Sequence, residues 1–212
     1  LLGYLLVLGP LLAMGSWFTL PDTEGLTAAE EVSKLIENES QIRIVSIVSS
    51  IGVFCMFFGL YFLSRTLRNG SKLSDACAQL GGLSILLVAP IMFLLQGWDL
   101  AAIELGKTDM PAAATVVNAG TGFESHLGLL FGVGMLLLGV ALTVQKTFHI
   151  VVPKAFKFPL GYILIITAIG AILDSIMVDA NDIIPTVGWL GMFLMTVVMG
   201  ILSLRTPRQI EN

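Results

Sequence analysis

The sequence predicts an all-α integral membrane protein that forms one six-helix bundle. The chain is 56% hydrophobic and only 12% charged, with a mean hydropathy of +0.91, whereas about a quarter of the residues in a soluble domain are charged. Several apolar runs are about twenty residues long, which is the length of a helix that crosses a bilayer. These runs do not alternate apolar and polar residues, so the pattern does not fit a membrane β-barrel.

Six membrane spans follow in chain order from these runs. We place them at residues 1–20, 44–64, 76–96, 126–144, 159–178 and 187–204 of a single domain, residues 1–212. The first run is too long for the apolar region of a signal peptide and lacks a small-residue cleavage site, so it is predicted to be a span.

The basic residues predict the orientation of these spans. Eight of the eleven Lys and Arg residues fall on one predicted side of the membrane: Arg65, Arg68, Lys72, Lys146, Lys154, Lys157, Arg205 and Arg208. Basic residues accumulate in cytoplasmic loops, so this side is predicted to be cytoplasmic. Both termini then lie in the cytoplasm, and an even number of spans does require the two termini to share one side. The chain is predicted to be a multi-pass protein of the cell membrane.

Two long connections on the predicted outer side have helical signals. Thr27 and Glu30 have the spacing of a capping box, and the apolar residues that follow predict a short amphipathic helix on the membrane surface or on a partner. In residues 98–126, Asp109 precedes Met110-Pro111 and is predicted to cap a second short helix, which "NAGTG" at 118–122 would end. This mostly apolar connection is predicted to be a lid, a re-entrant segment or a partner contact.

Small residues on the fourth span predict close helix packing. Gly128, Gly132 and Gly139 share one helix face, and the first two form a GxxxG pair. Lipid supplies little hydrophobic driving force between helices, so small residues that let backbones approach are the usual contact. The face predicts either packing within the bundle or a homo-oligomer interface.

A candidate polar cluster lies at the outer ends of the fourth and fifth spans. Asp174 shares a helix face with Thr167, Gly170 and Ala171, which predicts that it points into the bundle. His126 begins the adjacent antiparallel span and is its expected partner. The other predicted members of the cluster are Glu124, Asp179 and Asp182. Acidic residues inside membranes are often functional, so a structural ion pair and a role in moving protons or substrate both remain open.

The residue patterns point away from several function classes. His126, Asp174 and Glu124 are metal-ligand types, but Glu124 and His126 are two residues apart and lie on different helix faces, so we predict no metal. No nucleotide-binding, serine-hydrolase or zinc-protease motif occurs, so we predict no cofactor and no catalytic residue. A net charge of −4 argues against a nucleic acid partner.

Two stretches resemble an uncharacterised prokaryotic family of six-span membrane proteins. "HLGLLFGVGMLLLGVALTVQKTFHIVVPKAFKFPLGYILIITAIGAIL" is similar to its second half, through Gly132, Gly139, Pro153, Leu160 and Gly161. "LGYLLVLGPLLAMGSW" and "FGLYFLSRTLR" suit its first half. The resemblance implies the six-span topology and a prokaryotic inner or plasma membrane, and it implies no activity.

The leading functional hypothesis is a non-enzymatic structural or accessory subunit of a membrane complex. Its partners would be the lipid bilayer and other membrane chains, or further copies of itself. The acidic outer side keeps a second hypothesis open, a transporter of small solutes, ions or protons with an acidic outer vestibule. A third hypothesis is a metal-dependent membrane enzyme.

Overall fold

A computed structural model describes residues 1–23, 25–68, 70–152, 156–176 and 183–205. Within these ranges, several side chains lie outside the description, among them those of Glu124, His126 and Asp174. The described part contains seven helices: α1 (Leu2–Trp17), α2 (Ala28–Glu37), α3 (Glu39–Thr66), α4 (Lys72–Gly106), α5 (Met110–Gln145), α6 (Leu160–Ile176) and α7 (Ile183–Arg205). It also contains two short strands, β1 (His149–Val152) and β2 (Phe156–Pro159).

Four described segments are long and apolar enough to cross a membrane: Glu39–Thr66, Lys72–Gly106, Leu127–Gln145 and Val187–Arg205. Leu2–Trp17 and Leu160–Leu173 are shorter apolar helices. At 1.5 Å per residue, the 16 residues of α1 extend about 24 Å, less than the roughly 30 Å of bilayer hydrocarbon. The chain therefore has the helices of a membrane protein, although two of the six predicted spans form short helices.

The six apolar helices form a closed ring. Each of α1, α3, α4, α5, α6 and α7 packs against the next in this order, and α7 packs against α1. Small residues allow the close contacts: a Cβ atom added to Gly52 of α3 would lie 2.5 Å from the backbone nitrogen of Ala13 in α1. Gly3, near the start of α1, lies beside Leu204, near the end of α7. The first and last helices of the ring therefore begin and end at the same level.

α4 and α5 are much longer than the spans predicted within them. They have 35 and 36 residues, or about 52 and 54 Å at 1.5 Å per residue. Residues 98–106 of α4 and 110–117 of α5 form an antiparallel pair, and α2 packs across it. We call these two segments together with α2 the headpiece. Val32, Leu35, Ile103 and Ala113 are among the buried residues of its own apolar core, to which α3 adds Ile42.

The structure corrects the predicted 98–126 connection, which is neither a separate short helix nor a lid. Asp109 does cap a helix, by accepting a hydrogen bond from the Ala112 amide at 3.0 Å. However, this helix is α5, and it continues through "NAGTG" to Gln145. The Trp98 indole nitrogen donates to the Val116 carbonyl at 2.5 Å, and its ring covers Gly120. Tertiary packing of this kind outweighs the low helix propensity of glycine.

The predicted capping box of α2 is confirmed, but the surface beneath this helix differs from the prediction. The Thr27 amide donates to the Glu30 carboxylate at 2.8 Å, and the Glu30 amide donates to the Thr27 hydroxyl at 3.4 Å. Val32 and Leu35 are buried against α4 and α5. The apolar face of α2 is therefore covered by the same chain, not by the membrane surface or by a partner.

A short hairpin forms in the connection between the fourth and fifth predicted spans, residues 145–158, for which no strand was predicted. β1 and β2 pair antiparallel, with His149 opposite Pro159 and Val152 opposite Phe156. The β-branched and aromatic residues of "HIVV" and "FKFP" favour strands. The described part of the chain is thus all-α except for this hairpin. The hairpin lies at the end of the ring opposite the headpiece, which we call the hairpin end.

Candidate functional site

The predicted polar cluster lies mostly outside the described part of the chain. Asp179 and Asp182 are among the residues that the structure does not describe, and the same holds for the side chains of Glu124, His126 and Asp174. The backbone of α5 does meet that of α6 nearby, because a Cβ atom on Gly128 would lie 2.5 Å from the Ser175 hydroxyl. The segments that contain His126 and Asp174 therefore adjoin, while the pairing of the two side chains stays a prediction.

The face of α6 that precedes Asp174 is buried. Thr167 is 8% exposed and Ala171 is fully buried. A Cβ atom on Gly188 of α7 would lie 2.7 Å from the Ala171 amide nitrogen and 3.2 Å from the Thr167 carbonyl oxygen. This face is the contact between α6 and α7.

The three glycines singled out on the fourth span lie against α6. Added Cβ atoms on Gly132 and Gly139 would lie 2.7 Å from Ile172 Cγ1 and 2.8 Å from Ile165 Cγ1. Gly128 approaches Ser175 in the same way. Because α6 of the same chain fills this face, it is not free to contact a second copy.

Aromatic side chains fill the centre of the ring. Phe57 of α3 and Phe131 of α5 are each 2% exposed, with ring centroids 5.3 Å apart. Phe131 also stacks on Trp189 of α7 at 5.7 Å with an interplanar angle of 11°. Three non-adjacent helices thus meet through these three aromatic rings, which we call the aromatic stack and which pack inside the ring of helices.

Four charged side chains form a network between the headpiece and the ring. Arg43 of α3 contacts Glu39 at 2.8 Å and also pairs with Glu104 of α4. The Lys107 ammonium lies 2.9 Å from Glu39 and 3.5 Å from Glu104. The network joins α3 to α4 with two positive and two negative charges. Its side chains remain 28–57% exposed, so they can reach additional partners.

Two further carboxylates approach each other within the headpiece. Partial burial raises the pKa of Glu31 in α2, and a hydrogen bond with Thr23 opposes this shift. Asp99 of α4 is close enough to interact electrostatically with Glu31. Within the described residues, no group of three or more His, Cys, Asp or Glu side chains is placed to hold a metal. The side chains of His126, Asp174 and Glu124, the three metal-ligand types considered in the sequence, lie outside the described part of the structure.

The sequence interpretation missed a groove on the outside of the ring between α3 and α4. It has a volume of about 520 Å³ and is lined by Ser46, Ile47, Ser50, Ile51, Phe54, Phe93, Gly97 and Leu100. The sequence did contain a signal for this groove. Ile47, Ser50 and Phe54 share one helix face, and Arg43 places a charge at the end of the same face. Placing the start of the second span at residue 44 separated Arg43 from this stripe.

Comparison of the chain with protein-family models, with characterised proteins and with solved structures found no match.

Proposed function

We propose that the chain is a non-enzymatic accessory subunit of a membrane complex. It would cross the membrane six times with both termini in the cytoplasm and present the headpiece on the outer side. The headpiece would be the surface that contacts other membrane chains.

Helix packing and charge support this topology. The ring contains six apolar helices in chain order, with the start of α1 beside the end of α7. Arg65, Lys72, Lys146 and Arg205 lie at or next to helix termini at the hairpin end. By the positive-inside rule, this end is cytoplasmic and the headpiece is outside.

The aromatic stack at the centre of the ring is the observation that favours a subunit over a transporter. Phe57, Phe131 and Trp189 hold three helices together where a substrate path would be expected. By contrast, α4 and α5 continue into a headpiece that has its own core and an exposed polar surface. A headpiece with its own core above a packed bundle suits contact with another protein better than the movement of a solute.

Site-specific photo-cross-linking in native membranes tests this proposal. A photoreactive amino acid would replace Ser33 of α2 or Thr115 of α5, both exposed on the headpiece, and Leu87 in the apolar part of α4 as a control. We expect discrete adducts with a different protein chain from the headpiece positions and none from position 87. Headpiece positions that give no protein adduct in native membranes would contradict the subunit role.

A further inference from the structure

We propose that the α3–α4 groove is a binding site for one phospholipid with a primary-amine zwitterionic headgroup, such as phosphatidylethanolamine. An acyl chain would lie in the groove, and the headgroup would contact the charged network of Glu39, Arg43, Glu104 and Lys107. This inference rests on the chain being a membrane protein and is independent of the subunit role proposed above.

The groove has the shape and polarity of an acyl-chain site. Gly97 has no side chain, and the small Ser46 and Ser50 line the groove from α3, so a hollow remains between larger apolar residues. Its volume of about 520 Å³ falls within the range of roughly 300–1,000 Å³ for small-molecule sites. Phe54 and Phe93, with ring centroids 6.1 Å apart, narrow the end distant from the headpiece.

The charged network lies one helical turn beyond the opposite end of the groove. Arg43 precedes Ile47 by four residues on α3, and Glu104 follows Leu100 by four residues on α4, so each charge continues one wall of the groove. Arg43 and Glu104 also pair directly across the two helices. An amphiphile with its tail in the groove would therefore place its headgroup among these four charges.

The chemistry of the network selects the headgroup. Arg43 and Lys107 provide donors for a phosphate, and an arginine binds phosphate oxygens in a bidentate manner. Glu39 and Glu104 can accept hydrogen bonds from a primary ammonium, which a quaternary choline cannot donate. The two positive and two negative charges complement a zwitterion better than a headgroup with a net negative charge. All four side chains are partly exposed and could exchange their mutual contacts for contacts with the lipid.

Gly97→Leu provides a direct test, because a Cβ atom on Gly97 has no neighbour within 4 Å and the larger side chain would fill the groove without a clash at its first atom. Gly15→Leu is the matched control, since Gly15 on α1 is equally unobstructed and exposed but lies outside the groove. Full-length protein would be delipidated in detergent and titrated with phosphatidylethanolamine, phosphatidylcholine or phosphatidylglycerol, and the bound lipid counted by native mass spectrometry. Ser50→Leu would fill the groove from α3 if Gly97→Leu fails to fold.

We expect one phosphatidylethanolamine per chain, bound roughly tenfold more tightly than phosphatidylcholine, the difference produced by one charge-assisted hydrogen bond. Gly97→Leu should abolish this binding and Gly15→Leu should preserve it. Glu104→Gln should reduce the preference for phosphatidylethanolamine over phosphatidylcholine. Equal retention of all three lipids, unaffected by Gly97→Leu, would mean non-specific surrounding lipid and would overturn the proposal. Loss of a dimer in Gly97→Leu with lipid binding unchanged would assign the groove to a second copy and would also overturn it.

Discussion

Gly132 lies where α5 and α6 approach too closely for a side chain to fit between them without movement. A Cβ atom there would be 2.7 Å from Ile172 Cγ1 and 3.2 Å from the Ala168 carbonyl oxygen. Contacts of this kind are the main source of helix association in a membrane, where lipid is as apolar as the side chains. The stability of the α5–α6 pair should therefore depend on the absence of a side chain at this residue.

Gly132→Leu is expected to destabilise the protein by about 1–3 kcal/mol, because the added side chain overpacks the contact with α6. Thermal unfolding in detergent would measure the change. Gly15→Leu places the same side chain in open space and should leave the unfolding temperature nearly unchanged. Equal unfolding temperatures for the two variants would show that the α5–α6 contact accommodates a leucine.

Glu31 is expected to make the headpiece less stable as pH rises. Burial raises its pKa in the folded protein above the ordinary value, so the folded state holds the proton more tightly than the unfolded state does. This contribution to stability is complete below the unfolded pKa of about 4.3 and is lost as pH rises through the folded value. Glu31→Gln should therefore raise the unfolding temperature at pH 7 relative to the parent, with a smaller gain at pH 4.

Glu30 provides a control of opposite sign within the same helix. Its pKa is lowered by hydrogen bonds from Thr27, so its contribution is present above the unfolded pKa and is lost as pH falls through the folded value. Glu30→Gln should lower the unfolding temperature at pH 7 and have less effect at pH 4. If both variants shift in the same direction at pH 7, the assignment of the two environments is wrong.

At the scale of elements, the headpiece is a second folding region built on two helices of the ring. Its core includes residues from α2, the start of α3, the end of α4 and the start of α5. α2 contributes only one helical face, and isolated helices of ten residues are marginal in water. The order of α2 should therefore depend on burial of that face and not on its capping box alone.

Leu35→Ala is expected to release α2 while the ring stays folded. Leu35 is 4% exposed in the headpiece core, and a buried leucine-to-alanine change costs about 2–5 kcal/mol. Hydrogen exchange followed by mass spectrometry should show faster exchange in Ala28–Glu37 with unchanged protection in α6. Leu105→Ala removes a leucine that is 37% exposed and should have a much smaller effect. Faster exchange throughout the ring would contradict an independent headpiece.

At the scale of the whole molecule, the ring and its two ends determine how the chain would sit in a membrane. The headpiece and the β-hairpin lie at opposite ends of the six-helix ring. Between them, the aromatic stack joins α3, α5 and α7 across the centre. The proposed topology and the role of the aromatic stack can therefore be tested separately.

The proposed topology predicts that Gly70→Cys, in a background with Cys55 and Cys77 replaced by alanine, is protected from an impermeant thiol reagent in intact cells. Ser33→Cys on the headpiece should react with the same reagent. Both should react after the membrane is permeabilised. The physical reason is the excess of basic residues at the hairpin end. Labelling at position 70 in intact cells would reverse the orientation.

Phe131→Ala tests whether the aromatic stack belongs to a packed core or closes a transport path. If Phe131, which is 2% exposed, belongs to the packed core, its replacement by alanine should lower the free energy of unfolding by about 3–5 kcal/mol. Vesicles that contain the variant should still be impermeable to small ions. Phe131→Leu should cost less, because it keeps much of the apolar volume. Ion flux that appears in Phe131→Ala and is absent from the parent would instead support the transporter hypothesis.

The amino-acid sequence by itself determined the mainly helical class of the fold, the apolar character of the ring helices, the capping box of α2 and the glycine face of α5. These features depend on local periodicity and spacing, which can be recognised within a single segment of the sequence. The sequence predicted a helix end at residues 118–122 that the structure does not have. Asn118 and Gly120 are local stop signals, but the packing of Trp98 outweighs them. It also did not predict the strands His149–Val152 and Phe156–Pro159.

Only the tertiary structure decided which distant residues meet. Arg43 and Glu104 are 61 residues apart, and their pairing depends on the packing of α3 against α4. The groove beside them exists because Gly97 and two serines of α3 happen to face the same space. The aromatic stack likewise needs the ring to close before Phe57, Phe131 and Trp189 can touch. Periodicity assigns each residue to a face of its own helix, but the identity of the opposing face depends on how all six helices pack together.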